Sequence, residues 1–155
     1  MEYKSTLLAT KDIDAAVEFY KNVLGLRVVA DFGANKTLTG GISLQTLETW
    51  RLFLGKEKSE VAFDNNAGEI YFEENDMDGF LEKLKNIGGI HYVHGVKEQP
   101  WGQRAVRFYD RDGHIIEVGE NMKTVAKRFY DNGMTAERIA ERMGIPLKNV
   151  KFLLK

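Results

Sequence analysis

The sequence predicts an α+β fold in which two consecutive βαβββ modules, residues 1–60 and 66–120, are followed by a helical extension, residues 121–155. Three observations lead there. The chain repeats itself at an offset of 64: residues 12–29 lie over residues 76–93 without a gap, with identity at Asp12/Asp76, Asp14/Asp78, Glu18/Glu82, Lys21/Lys85, Asn22/Asn86, Gly25/Gly89 and Val29/Val93. Self-similarity of this length means that one supersecondary unit is built twice. Each copy also has the same local order: an alternating stretch, an Asp, an amphipathic helical pattern and a Gly. Finally, the charge changes sign near residue 120. Residues 1–120 hold 14 basic and 20 acidic side chains and residues 121–155 hold 8 and 3, so the formal net charge of −1 hides −6 on the body and +5 on the tail.

In the first module, residues 5–10 alternate as a half-buried strand does. Asp12 stands where an N-cap accepts from free backbone N–H groups. Ile13, Ala16, Val17 and Tyr20 then recur at helical spacing, and Gly25 ends the helix because glycine takes the left-handed conformation without strain. Strands are expected at 26–31, 38–47 and 50–55. The second module repeats the scheme: a strand at 69–73, Asp76 as cap, a helix carrying Met77, Phe80, Leu81 and Leu84, then Gly88 and Gly89, and strands at 90–94, 103–109 and 114–119. A further helix over 122–130, with Val125, Ala126, Phe129 and Tyr130 apolar, is expected to anchor the tail to the sheets or to a second subunit.

Composition excludes several classes. With no cysteine there is no disulfide framework, thiolate zinc cluster or cysteine nucleophile, so a metal would have to be held by His, carboxylate or amide groups. No apolar run approaches the roughly 20 residues of a membrane span, and the one near the N-terminus is too short for a signal peptide. A cytoplasmic protein without membrane contact is expected.

Strand alternation assigns the faces. If Ile70 and Phe72 pack toward the helices, Glu69, Tyr71 and Glu73 take the opposite face. By the same rule Glu117 and Gly119 oppose Ile116 and Val118, Arg107 and Tyr109 oppose Val106 and Phe108, and Ser43 and Gln45 oppose Ile42 and Leu44, open to a pocket. Arg107 is then available to pair with Glu69 or Glu117, either within a functional pocket or as a purely structural neutraliser. Trp50 and Trp101 are available as aromatic walls, Trp101 in the strand entry at 100–104. Among the histidines, His114 is expected to be exposed in a turn. His91 and His94, three apart on a strand, face opposite ways and cannot share one ion; each is expected to be structural or superficial.

The paired modules, the helix end Phe19-Tyr20-Lys21-Asn22-Val23-Leu24-Gly25 and the run Asp110-Arg111-Asp112-Gly113-His114-Ile115-Ile116-Glu117 together resemble the vicinal oxygen chelate superfamily over about residues 3–120. That superfamily contains glyoxalase I, bleomycin-resistance proteins, fosfomycin-resistance enzymes and extradiol dioxygenases. The resemblance implies that each module curls into a half-barrel, that the concave faces form the pocket, and that a divalent metal is held from strand positions, two per module. Carried over position by position, the first ligand falls on Ser5, where the family usually has His. Its counterpart in the second module is Glu69, the last ligand is Glu117, and the remaining one falls on Ser43 or Gln45. Two carboxylates and an amide oxygen suit Mn²⁺ or Mg²⁺ better than Zn²⁺ or Ni²⁺, which favour imidazole. The serine at position 5 argues against an ordinary glyoxalase site. No cofactor is therefore dictated, and the one admitted is a single divalent ion.

Residues 133–154 resemble a helix-turn-helix, with Thr135 capping a first helix, Gly144 at the turn and Pro146 opening a second helix. DNA binding through Lys148, Asn149 and Lys151 is one reading. A docked helical hairpin is preferred, because the second helix is short, about 10 residues or ~15 Å, because it spends Phe152 and Leu154 on packing, and because the acidic body would repel phosphate.

Three functions result, in order of preference. The first is a glyoxalase/bleomycin-resistance-like protein that binds a small molecule in a polar pocket with a degenerate metal site, lined by Ser5, Ser43, Gln45, Tyr71, Trp101, Arg107 and Tyr109. The second is a divalent-metal-dependent lyase or isomerase of the glyoxalase I type, with Glu69, Glu117 and Gln45 as ligands and Glu69 and Glu117 as catalytic carboxylates. The third is a ligand-responsive regulator that reads DNA with its tail. A homodimer is expected.

Overall fold

The computed structural model describes all 155 residues. The first half forms β1 (Thr6–Thr10), α1 (Ile13–Leu24), β2 (Val28–Asp31), β3 (Asn35–Leu38), β4 (Ile42–Thr46) and α2 (Leu47–Leu54). The second forms β5 (Glu69–Glu74), α3 (Met77–Ile87), β6 (Tyr92–Glu98), β7 (Arg104–Tyr109) and β8 (Ile115–Glu120), followed by α4 (Met122–Asp131), α5 (Ala136–Met143) and α6 (Leu147–Leu153). The strand orders β1-β4-β3-β2 and β5-β8-β7-β6 are the same topology twice, with β1 parallel to β4 and β5 parallel to β8. The internal repeat is thus a repeat of βαβββ modules. The chain divides into two compact units, Met1–Gly68 with Tyr109–His114, and Glu69–Phe108 with Ile115–Lys155. No helix is long and apolar enough to cross a membrane.

In the first unit the Asp12 carboxylate accepts from the Ala15 N–H at 3.0 Å and Gly25 takes φ 71°, so both ends of α1 are satisfied as expected. Ala16, Tyr20 and Val23 are its buried residues. Two expected strands are corrected. Residues 38–47 are not one strand, because the turn at 39–41 folds β4 back antiparallel on β3. Residues 50–55 are not a strand at all: 50–54 lie in α2 and Gly55 caps it, and the Glu48–Arg51 ion pair at i, i+3 and the left-handed Gly55 are helix signals that outweighed the aromatic and branched composition.

The turn between β7 and β8 belongs to this first unit. There Asp110 accepts from the buried Tyr20 hydroxyl at 2.8 Å, from the backbone N–H groups of Asp112 and His114, and from His114 Nδ1 at 2.8 Å. Asp112 accepts from the Thr10 hydroxyl and the Lys11 N–H. His114 is therefore not the exposed residue expected: it is half-buried, held by Asp110, with the Phe63 ring edge-on at 5.9 Å. Burial works against its charged form, but the Asp110 hydrogen bond and the charges of Asp110, Asp112 and Asp64 outweigh burial and raise its pKa above 6.5. A group whose folded pKa is raised stabilises below its unfolded value and loses that contribution as pH rises through the folded one. Denaturant midpoints measured across pH should therefore fall as pH climbs above 6.5, and His114→Ala should flatten that slope; an unchanged slope would show that the ion pair contributes nothing.

In the second unit Asp76 caps α3 by accepting from Gly79 N–H at 2.9 Å. Met77, Phe80 and Leu84 are buried on the helix, and Val106, Phe108, Ile116 and Val118 on the sheet. Strand alternation holds on β5, where Glu69, Tyr71 and Glu73 are exposed and Ile70 and Phe72 are not. The tail belongs to this unit. Val125, Ala126, Phe129, Ile139, Met143 and Val150 form a core shared by α4, α5 and α6, with Leu154 packed against it. Gly102 lets the chain pass beside α4, since at its φ of +90° any Cβ would overlap the Phe129 ring. One expectation fails here. Phe152 does not pack: it is 75% exposed, because Val150 and Leu153 already fill the contact and Phe152 falls on the outer face of α6.

Candidate functional site

The face of the second sheet opposite α3 gathers five of the candidate residues. Glu69 and Tyr71 come from β5, Glu117 from β8 directly beside Tyr71, Arg107 from β7, and Trp101 from the loop that leads into it. The Arg107 guanidinium is the centre. It donates through Nε to Glu69 Oε2 at 2.8 Å and through its second terminal nitrogen to both Glu117 Oε2 and Glu69 Oε1. Glu117 is buried at 7% exposure, whereas Glu69 is exposed. Burial pushes the Glu117 pKa up, and Glu69 beside it adds to the rise; the Arg107 hydrogen bond holds the Glu69 pKa down. The pair is thus an uneven one, with a strong anion at the rim and a weaker acid beneath.

Two residues that sequence reasoning did not place here complete the face. His94, opposite Arg107 on β6, brings Nε2 to 3.4 Å from the guanidinium and Nδ1 to 2.7 Å from the Gly95 carbonyl. One neutral tautomer, protonated on Nδ1, satisfies both contacts. Gln103 is buried and links three groups: its Nε2 donates to the Tyr71 hydroxyl and the Glu120 carbonyl, each at 2.9 Å, and its Oε1 accepts from Trp101 Nε1 at 3.1 Å. Tyr71 in turn donates to Glu73 at 3.2 Å, and it lies over Gly119, where any Cβ would meet its ring. The two rings that remain half-exposed, Tyr71 at 47% and Trp101 at 39%, are therefore held in fixed positions.

The remaining candidates lie in the first unit. Ser5 and Ser43 hydroxyls meet at 2.8 Å. Gln45 Oε1 accepts from Asn35 Nδ2 at 2.8 Å and its amide nitrogen donates to Thr49. Ser43 and Gln45 were expected to be open to a pocket and are instead buried, at 7% and 3% exposure. Gln45 is covered by α2, which brings Thr49 over it where a strand would have left it open, and Ser43 is met by the Ser5 and Thr37 hydroxyls. Tyr109 donates to Asn66 Oδ1 at 2.7 Å. Lys148, Asn149 and Lys151 stand exposed on α6.

A divalent ion does not fit these donors. The two carboxylates already share the Arg107 guanidinium, the Gln45 carbonyl oxygen already has a donor, and no group of three or more His, Asp or Glu side chains is arranged to hold an ion. A metal would first have to displace a bidentate, charge-assisted contact of the strongest kind that proteins form between side chains.

No curated protein is a significant match to the sequence. Solved structures resemble it closely in fold. A protein of unknown function from Agrobacterium tumefaciens str. C58 is 28% identical at a TM-score of 0.68, covering 78% of this chain and 94% of that one. A lactoylglutathione lyase from Agrobacterium tumefaciens is 25% identical at 0.56, covering 77% and 93%. A glyoxalase-related enzyme from Fulvimarina pelagi is 17% identical at 0.66, covering 78% and 88%. The family model of the glyoxalase-like domain matches residues 3–123, which span both βαβββ modules and stop where α4 begins. With that match over most of its length and the twice-built sheet beneath it, the chain belongs to the glyoxalase-like domain family of the vicinal oxygen chelate superfamily.

Proposed function

We propose that this protein binds a small organic molecule on the polar face of its second sheet and does so without a metal ion. One observation carries the reading: Arg107 occupies, with its guanidinium, the space between Glu69 and Glu117 that the family's metal would need. The chemistry of the face supports it. Glu69, Glu73 and Glu117 against Arg107 leave an excess of negative charge, which favours a neutral or cationic ligand over an anionic one. Tyr71 and Trp101 offer flat apolar surface already locked by Gln103, so little side-chain entropy is lost on binding. The same reading takes the protein to be cytoplasmic, and to be homodimeric, which the exposed apolar side chains Val29, Phe32, Leu52 and Phe53 favour.

The competing reading, a metal-dependent lyase using Glu69 and Glu117 with Gln45, requires Arg107 to withdraw. Calorimetric titration with Mn²⁺, Mg²⁺, Zn²⁺ and Ni²⁺, with a glyoxalase-type activity assay in each ion, separates the two. The expected result is no stoichiometric ion and no turnover. Stoichiometric binding that is lost in Glu117→Gln would establish the lyase site instead.

A further inference from the structure

The tail is an addition to the family fold, since the matched domain ends at residue 123 and α5 and α6 lie wholly beyond it. It has a core of its own and a tight turn, with Gly144 left-handed at φ 65° and only Gly144, Ile145 and Pro146 between α5 and α6. Three packed helices with a short turn before the last are the arrangement that presents a final helix outward to a groove. What α6 presents is distinctive. Val150 is buried and Leu153 packs on the shared core, while Lys148, Lys151 and Phe152 stand exposed at i, i+3 and i+4, with Lys155 directly after.

α6 carries no acidic residue, whereas Asp131, Glu137 and Glu141, unpaired like the free cations, lie before it on α4 and α5. Arg128 and Arg142 are taken up by Glu120 and Glu98. Lys123, Lys127, Arg138, Lys148, Lys151 and Lys155 make no ion pair, although the chain carries an acidic excess elsewhere that could have neutralised them. The charge on the body weakens attraction to phosphate only over the screening distance, about 8 Å at physiological salt, so a local cationic face keeps its reach. α6 has 7 residues, and a helix with its side chains is about 10–12 Å across, the cross-section that a major groove about 12 Å wide admits.

We propose that the C-terminal helices bind double-stranded DNA, with the exposed face of α6 in the major groove. Lys148, Lys151 and Lys155 contact phosphates, Asn149 offers an amide to a base edge, and Phe152 offers apolar contact to a thymine methyl. A lipid surface is the poorer fit, because a single exposed aromatic provides little area to bury in a membrane.

Fluorescence polarisation of the full chain with a labelled mixed-sequence duplex of about two helical turns tests this. At low salt the duplex should bind, with affinity falling on a log-log salt plot by about 0.9 per phosphate contacted. Lys148→Glu combined with Lys151→Glu should weaken binding at least tenfold, roughly the size expected when charge reversal removes two phosphate contacts, without moving the thermal midpoint, since both residues are solvent-exposed. Phe152→Ala should weaken it severalfold. No binding at low salt, equal binding by the charge-reversed variant, a single strand bound as tightly as the duplex, or binding to anionic phosphatidylglycerol vesicles in place of the duplex would each overturn the proposal. None of these outcomes bears on the ligand face of the second sheet.

Discussion

Arg107→Met is expected to cost about 2–3 kcal/mol of stability, somewhat below the ~3–5 kcal/mol for losing one partner of a fully buried ion pair, because Glu69 lies at the rim. The loss has a pH signature. Without the guanidinium two carboxylates face each other across β5 and β8, and like charges so placed raise the pKa of the more buried one. Glu117, already pushed up by burial, rises further. A carboxylate with a raised folded pKa holds more protons folded than unfolded, so stability falls as pH rises from 4.5 through the raised value. The variant should be most damaged at neutral pH and recover toward acid, which urea midpoints across pH would record. It should also respond to metal. With the carboxylates freed, a divalent ion can bridge them, and an ion at a hundred times its dissociation constant would restore about 2.7 kcal/mol. If the variant shows neither the pH slope nor stabilisation by Mn²⁺ or Mg²⁺, Arg107 is not the metal's substitute.

Glu120→Ala should be the other severe change, at about 3 kcal/mol. Glu120 is fully buried and is the common acceptor of Arg104 and Arg128, with Arg104 also held by Asp78 and Arg128 also donating to the Gly102 carbonyl. Arg128 comes from α4 and Glu120 from the end of β8, so the substitution loosens the tail from the sheet as well as leaving two cations short of an acceptor. A melting point lowered by several degrees is expected, together with faster amide exchange in α4. Glu120→Gln, which keeps the shape and one acceptor, should cost visibly less. Equal melting points for the two variants would mean that the charge is immaterial.

Much of this architecture was legible because the repeat tied each weak local signal to a second copy. Asp12 and Asp76 are both true caps, and the period of two put Glu69, Tyr71, Arg107 and Glu117 on one face. What escaped has identifiable causes. Leu, Trp and Phe are shared by strands and helices, so α2 was hidden in its own composition, and with it the cover over Gln45. His94 escaped because the register between β6 and β7 slips on both sides of it, and a strand that bulges no longer obeys alternation. Gln103 escaped because its value lies in three partners distant in sequence, which no local pattern encodes.

The turn at 110–114 has a consequence for synthesis. It supplies the first unit with the acceptors for the Tyr20 hydroxyl, Thr10 and the Lys11 amide, yet it is made more than forty residues after Gly68. A nascent chain that has emerged only to residue 68 holds a tyrosine hydroxyl destined for burial with nothing to accept from it, a state that costs about 1–3 kcal/mol. The first βαβββ module is therefore less stable, as an independent product of translation, than the completed unit. Its last three acceptor contacts arrive only with the Asp-Gly turn of the second module.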